Sequence, residues 1–244
     1  MNQADFLPRV TDELDLMTTL VPLERAQVIE LGCGNARIAR DLLKRFPLSR
    51  VTGLEVDAIQ HAKNLQDPQD RLTFIQAGAQ TIPLPDQTFD VAWMLKSLHH
   101  VPHEAMRPAL LEVGRVVRPG GLLYVSEPIY DGALNDIVRL YNDEGTVRAW
   151  AQAALDEVAA SGTVWQQLAE QRFATPVSWD SFEVFESRMM RPTYADHHLD
   201  TDKVQRVREA FERQVQAHGK QFVRPMHVRV FRRTDAGIRP VPPG

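Results

Sequence analysis

The chain has 244 residues, of which 43% are hydrophobic and 25% charged, and a formal net charge of −4 at pH 7. That is enough apolar material for a real core, in one large α/β domain or a domain with a cap, and the acidic balance argues against a protein that coats nucleic acid. The one cysteine, Cys33, excludes an internal disulfide; with no bilayer-length apolar run and no basic-then-apolar leader in MNQADFLPRV, the expected location is the cytoplasm.

Leu7, Val10, Leu14, Met17 and Val21 recur at helical spacing and predict an amphipathic helix ended by Pro22. The next stretch, VIELGCGNARIAR, organises the rest. Val28 and Ile29 read as the end of a buried strand, Gly32-Cys33-Gly34 as a tight turn, and Asn35 as a cap for a helix with Ile38, Leu42 and Leu43 on its apolar face. A strand, a glycine turn and a helix start make an open crevice in which backbone approaches a ligand closely.

The residues of that crevice narrow the ligand. A dinucleotide fingerprint needs a third glycine where Arg37 stands, and a phosphate loop needs a Gly-Lys-Ser/Thr ending that is absent. Instead Glu30 sits at the strand end, where a carboxylate repels a pyrophosphate and suits an ammonium group. A second strand, Arg50 to Glu55, places another acid about 20 residues past the turn, the position that accepts hydrogen bonds from ribose hydroxyls. A nucleoside that also carries an ammonium and a carboxylate fits S-adenosylmethionine (SAM). Asp57 is expected to cap the following helix, Ala58 to about Leu65.

Further along, Arg71 to Gln76 reads as a third strand and Phe89 to Leu95 as a fourth, with Lys96, Ser97, His99 and His100 after it. His103 to about Val117 reads as a helix, and Pro119-Gly120-Gly121 as the turn into a fifth strand, Leu122 to Ser126. ELGCGNA resembles the first motif of the class I SAM-dependent methyltransferases, most closely the branch of the ubiquinone/menaquinone C-methyltransferases. GLEVD, AGAQTIPLPDQTFDVAW, LHHV and RVVRPGGLLYVSEP fit in the same order, so that the resemblance covers about Gln27 to Pro128.

The resemblance implies an α/β fold: a Rossmann-like, seven-stranded, mostly parallel sheet with helices on both faces, an antiparallel last strand and a helical cap insertion. It implies SAM as cofactor, with S-adenosylhomocysteine as product, held by Glu30, Gly32, Cys33, Gly34, Glu55, Gly78, Ala79 and Leu95. Cys33 is expected as a small filler rather than a nucleophile. The adenine loop of the family usually reads G-D-A-E; here Gly78 and Gln80 replace its acids, which leaves contact to the adenine amino group to backbone or water. His100 is the candidate to orient or deprotonate the acceptor, and Arg9 a candidate for the cofactor carboxylate. The implied acceptor is a small molecule; nucleic acid is disfavoured, no metal is expected, and the oligomeric state is left open.

Beyond Pro128 the resemblance fades. Ala133 to about Ser161 reads as helix with a break at Gly145, Val164 to Phe173 as a further helical piece, and Tyr141, Asn142, Trp150 and Trp165 as candidate pocket residues. Ser181 to Met190 reads as a strand, Val204 to Val215 as a helix face, and Met226 to Arg232 as a last strand near the sheet edge. Asp196, His197, His198 and Asp200 are too compact for a zinc site and read as a solvated turn. From Arg188 to Arg233, 11 Lys/Arg stand against 5 Asp/Glu; this basic bias is a solvated face or an attraction for an acidic substrate or an RNA. The expected map is one domain: N-terminal helix 1–22, cofactor core 23–128, helical cap 129–179, C-terminal strands and helix 180–233, and tail 234–244. Two rival readings are an enzyme that modifies SAM itself and a non-catalytic protein that kept the fold.

Overall fold

The computed structural model describes residues 6–234, so the start of the chain and the tail from 235 lie outside it. Five strands, β1 (Gln27–Leu31), β2 (Arg50–Glu55), β3 (Leu72–Gln76), β4 (Phe89–Leu95) and β5 (Val117–Pro128), pair in parallel as β1 with β2, β2 with β3, β1 with β4 and β4 with β5. With β6 (Trp165–Ser178) and β7 (Gln221–Arg233) they form one seven-stranded sheet in the order β3-β2-β1-β4-β5-β7-β6. The strand order reverses at β1, whose partners are β2 on one side and β4 on the other. In sheets of this kind a crevice opens at that reversal, beyond the carboxyl ends of the strands.

The helices α1 (Glu13–Leu20), α2 (Arg37–Arg45), α3 (Ala58–Gln66) and α4 (His103–Val116) precede or link these strands. In α2 the apolar positions Ile38, Ala39, Leu42 and Leu43 are buried, while Asp41 meets Arg37 at 3.4 Å and Lys44 at 3.0 Å on the outer face. Lys44 and Arg45 in the last turn complement the helix dipole. Asp57 caps α3 as expected, accepting from the Ile59 N–H at 2.9 Å. Later come α5 (Ala133–Val138), α6 (Gly145–Ser161), α7 (Phe182–Phe185) with a π-turn over Glu186–Met190, and α8 (Thr201–His218). Among the described residues no helix is long and apolar enough to cross a membrane.

The chain divides into two compact units drawn from non-contiguous segments. One, the sheet unit, takes Leu14–Glu127, Ala149–Gln171 and Val228–Gly244; the other takes Met1–Glu13, Pro128–Arg148 and Arg172–His227. Each has its own core. The sheet unit buries Ile29, Leu31, Leu54, Met94, Leu110, Leu123 and Trp165, whose indole N–H donates to the Leu110 carbonyl at 2.8 Å. The second unit packs an aromatic cluster: Phe185 lies 5.0 Å from Trp179 and 5.1 Å from Phe211, which lies 5.5 Å from Phe222.

Several expectations from the sequence are corrected. The first helix begins only at Glu13; before it, Val10 N–H donates to the Ala174 carbonyl at 3.1 Å and Ala174 N–H to that of Pro8 at 2.9 Å, a strand-like pairing. The stretch after Val164 is a strand, not a helix, since its burial alternates along β6. Helix over 129–179 is therefore confined to Ala133–Val138 and Gly145–Ser161. Ser181 to Met190 is helical, not a strand: the Ser181 hydroxyl caps the Val184 N–H at 3.4 Å, and Phe182 and Phe185 fall on one buried face. The last strand does lie near the sheet edge, second from it between β5 and β6, and having a partner on each side it is buried from Val228 to Phe231.

Candidate functional site

The turn after β1 is held by hydrogen bonds that the sequence does not display. Gly32 N–H and Cys33 N–H both donate to the Leu54 carbonyl at 2.9 Å, so the turn leans on the end of β2. Gly34 N–H donates to Glu55 Oε2 at 2.7 Å, and Asp57 N–H to Glu55 Oε1 at 2.9 Å. Asn64 on α3 closes the other side, donating to the Gly34 carbonyl at 2.7 Å. Glu55 is thus both the acid beside the crevice and the brace of the glycine turn; an ionised carboxylate has about four lone-pair sites, which leaves capacity for ribose hydroxyls.

Gly32 and Gly34 are both left-handed, at φ +69° and +53°, and they serve different neighbours. A Cβ on Gly32 would lie 2.7 Å from Ser97 Cβ, so the close approach there is to the turn after β4, not to a ligand. Ser97 completes that contact by donating its hydroxyl to the Leu31 carbonyl at 2.7 Å. A Cβ on Gly34 would meet nothing within 4 Å and would project into open space. Cys33 is buried, and its sulfur packs 2.9 Å from where a Cβ on Gly53 would stand. Burial and the nearby carboxyls of Glu30 and Glu55 push its thiol far above the usual range. It is a filler, as expected, and lines the strand side of the turn.

Glu30 lies on β1 between Gly53 of β2 and Trp93 of β4. Its carboxyl is buried, and Oε2 has no hydrogen-bond partner among the described residues. Burial raises its pKa from 4.5 to about 8, against the smaller opposing influence of the Trp93 indole, Lys96 and Arg37. A buried acid in that state gains from a cation placed against it. An orphaned carboxyl oxygen, an open space at Gly34 and a doubly bonded Glu55 together fit a nucleoside bearing an ammonium group better than a phosphate-bearing one.

At the adenine loop the Gln80 side chain folds back within 2.6 Å of a Cβ placed on Gly78, and Ala79 is buried in the sheet-unit core. Neither offers a side chain for a base, in line with the missing acids. Leu95 ends β4, buried, opposite Ser126. Lys96 follows at φ +57° with its N–H on the Ser126 carbonyl at 2.8 Å.

The turn Leu98–His100 brings a pair that the sequence left undecided. His99 is buried, and its Nδ1 is hydrogen-bonded to Glu127 Oε2. Glu127 Oε1 also accepts from the N–H groups of Leu98 at 2.9 Å and Ser97 at 3.2 Å. Glu127 is 1% exposed and holds this turn in place. His100 is exposed, its ring centroid 4.0 Å from that of His99. Asn64, Ser97, His99 and Glu127 carry the site without a sequence signal strong enough to single out their roles, because each acts through a partner 28 to 66 residues away.

The pocket candidates beyond β5 disperse. Trp165 is core, Tyr141 is buried in the second unit, and Trp150 is exposed and stacked at 4.2 Å on His103. Asn142 donates to Glu144 at 2.9 Å. Arg9 lies exposed in the segment paired with Ala174. Asp196 accepts from His198 N–H at 2.8 Å and Asp200 caps α8, so both act locally, as a solvated turn implies.

Residues 29–125 match the family model described as a methyltransferase domain. The chain is 34% identical over 124 residues to the 27-O-demethylrifamycin SV methyltransferase of Amycolatopsis mediterranei, covering 49% of this chain and 44% of that protein. It is 34% identical over 136 residues to the fatty-acid O-methyltransferase of Mycolicibacterium smegmatis, covering 54% and 48%. The chain thus spans about half the length of these curated relatives. A solved structure from Bacillus halodurans C-125 shares the fold at a TM-score of 0.63 and 15% identity, over 91% of this chain and 99% of that one. The residues matched by the methyltransferase-domain model all fall in the sheet unit.

Proposed function

We propose that the protein transfers a methyl group from SAM to a small-molecule acceptor. What carries the reading is the buried Glu30 carboxyl with its unpartnered oxygen, beside a glycine turn braced by Glu55. SAM supplies an electrophilic methyl on sulfur, so the chain needs no covalent intermediate of its own. Glu30 holds the ammonium, Glu55 the ribose hydroxyls, and Gly34 leaves the space in which the nucleoside lies. Gly32 and Cys33 set the turn, and the backbone of Gly78 and Ala79 receives the adenine. Leu95 closes the apolar floor at the end of β4. His100 is assigned the acceptor proton, with the buried His99–Glu127 pair holding its turn in place. Such a base contributes typically about 10²–10⁴-fold, and alignment of the reactants contributes more.

Oxygen is the first nucleophile to test, since the two relatives named above are called O-methyltransferases or act, by name, on an O-demethylated compound. The narrower likeness to the ubiquinone/menaquinone branch points to carbon instead and is the second choice. The reduced single cysteine suits a cytoplasmic setting. The test is incubation with SAM and a panel of small hydroxylated, carboxylated and phenolic compounds, followed by mass spectrometry. Acceptor-dependent formation of S-adenosylhomocysteine with a product 14 mass units heavier, the mass of an added CH₂, is expected. Binding of NAD or ATP in place of SAM, or consumption of SAM with no methylated product, overturns the proposal.

A further inference from the structure

In the second unit one guanidinium, that of Arg224, makes no ion pair among the described residues. Arg148 is fully engaged: its Nη2 and Nε lie 2.5 and 3.1 Å from Glu144 Oε2, and its Nη1 lies 2.9 Å from Asn135 Oδ1 and 3.3 Å from the Ile129 carbonyl. The other oxygen of Glu144 takes the Asn142 amide at 2.9 Å. That acid thus grips Arg148 with one oxygen and Asn142 with the other. Arg224, on the first half of β7, is partly buried, and the contact recorded for its guanidinium among the described residues is to the Met189 sulfur at 3.8 Å. A thioether is a weak acceptor and neutralises nothing.

Backbone contacts fix this arrangement. Ile129 N–H donates to the Pro225 carbonyl at 2.9 Å, which ties the residue after Arg224 to the segment that Arg148 grips. Tyr141 donates its hydroxyl to the Met189 carbonyl at 3.2 Å, so an aromatic ring and a thioether flank the guanidinium. Burial, and then the like charge of Arg148, hold Arg224 below the ordinary guanidinium range, with Tyr141 and Glu144 acting the other way. Arg229 on the same strand makes the contrast plain: it is buried, yet lies 2.7 Å from Asp156 Oδ1 and 3.0 Å from Gln167 Oε1.

A partly buried charge that makes no ion pair gains from an anion placed against it, and a ligand anion can be that partner. One guanidinium beside a thioether suits a monoanion with an apolar body rather than a phosphate dianion. We propose that Arg224 anchors a binding site in the second unit for a small monocarboxylate, held in the guanidinium fork beside Tyr141 and Met189. The site stands on this unit alone and does not depend on the methyl-transfer reading.

The test is calorimetric titration of the full chain with octanoate and benzoate, each against its neutral amide, and with inorganic phosphate. The acids are expected to bind at least tenfold tighter than the amides and than phosphate. Arg224→Met removes that preference, Arg224→Lys keeps part of it, and neither changes binding of S-adenosylhomocysteine. Should Arg224→Met fold poorly, Arg224→Gln, which keeps an N–H donor without the charge, gives the same readout. Equal binding of acid and amide by the wild type, or a preference that survives removal of the charge, overturns the proposal. Failure of the wild type to bind S-adenosylhomocysteine overturns the methyltransferase reading instead and leaves this site standing.

Discussion

The two units invert each other's electrostatics. In the sheet unit the buried charged groups around the candidate site are acids: Glu55 and Glu127 are each clasped by two backbone N–H groups, and Glu30 awaits a partner. In the second unit the under-partnered interior group is a base, Arg224. Backbone amides can clasp a carboxylate because loops at strand ends expose N–H groups. A guanidinium has only donors, so it needs an acceptor from a side chain, a carbonyl or a ligand. The difference teaches which half is already complete for a cation and which still asks for an anion.

The largest way to break this comparison is Gly34→Val. The side chain would fill the open space beside the turn and force a β-branched residue to φ +53°. Cofactor binding is expected to fall by more than about 100-fold, with roughly 1–2 kcal/mol lost from stability. Near-normal calorimetric affinity for S-adenosylhomocysteine would falsify the assignment of the crevice. Next comes Glu127→Ala, which strips the Ser97 and Leu98 N–H groups and His99 of their acceptor. Two to four kcal/mol, in the rough range for unsatisfied buried groups, should be lost in urea unfolding. Cofactor affinity should change far less, because Glu127 touches only the turn after β4.

Glu55→Ala sits between these two. The sequence alone predicts weaker SAM binding with an intact fold; the bonds to Gly34 and Asp57 add a stability loss of about 1–3 kcal/mol. Unchanged affinity by calorimetry would remove Glu55 from the site whatever happens to stability.

The pH prediction sharpens the role of Glu30. In the fold this acid stays protonated to about pH 8, while in the unfolded chain it ionises from 4.5. Between those values the folded state binds more protons, so its stability falls as pH rises through that window. An ammonium ligand reverses the preference: binding expels the Glu30 proton and tightens as pH rises toward 8, by at most about tenfold per unit. Calorimetry in buffers of different ionisation heat should detect about one proton released below pH 7, and none from Glu30→Gln. Equal proton release by both proteins would sink the ammonium assignment. The smallest effect belongs to Cys33→Ala, expected to cost about 1 kcal/mol or less by leaving a methyl-sized gap against Gly53. Its thiol should resist alkylation at pH 8 until the protein unfolds.

The sheet half was legible because its signals are local. Glu30, Gly32 and Gly34 lie within one turn, and the apolar runs of β1, β2 and β4 alternate with helices whose faces repeat every three or four residues. Beyond Pro128 the local signals misled. Trp165 and Leu168 sit at helical spacing, yet the stretch became β6 once the sheet needed an edge. Phe182, Val184 and Phe185 read as a strand, and the Ser181 cap and the aromatic cluster made them helix. Short apolar runs carry no period long enough to choose for themselves.

By itself the sequence determined the order of the first five strands, the position of the glycine turn and the two acids beside it, since hydrophobic period and turn chemistry act over a few residues. Only the tertiary structure decided what those acids do. It set Glu55 against Gly34, gave Glu127 to His99, and left Glu30 Oε2 without a hydrogen bond and Arg224 without an ion pair among the described residues. Partnership of a buried charge depends on groups brought together from tens of residues away, and burial is what turns the lack of a partner into a demand for a ligand.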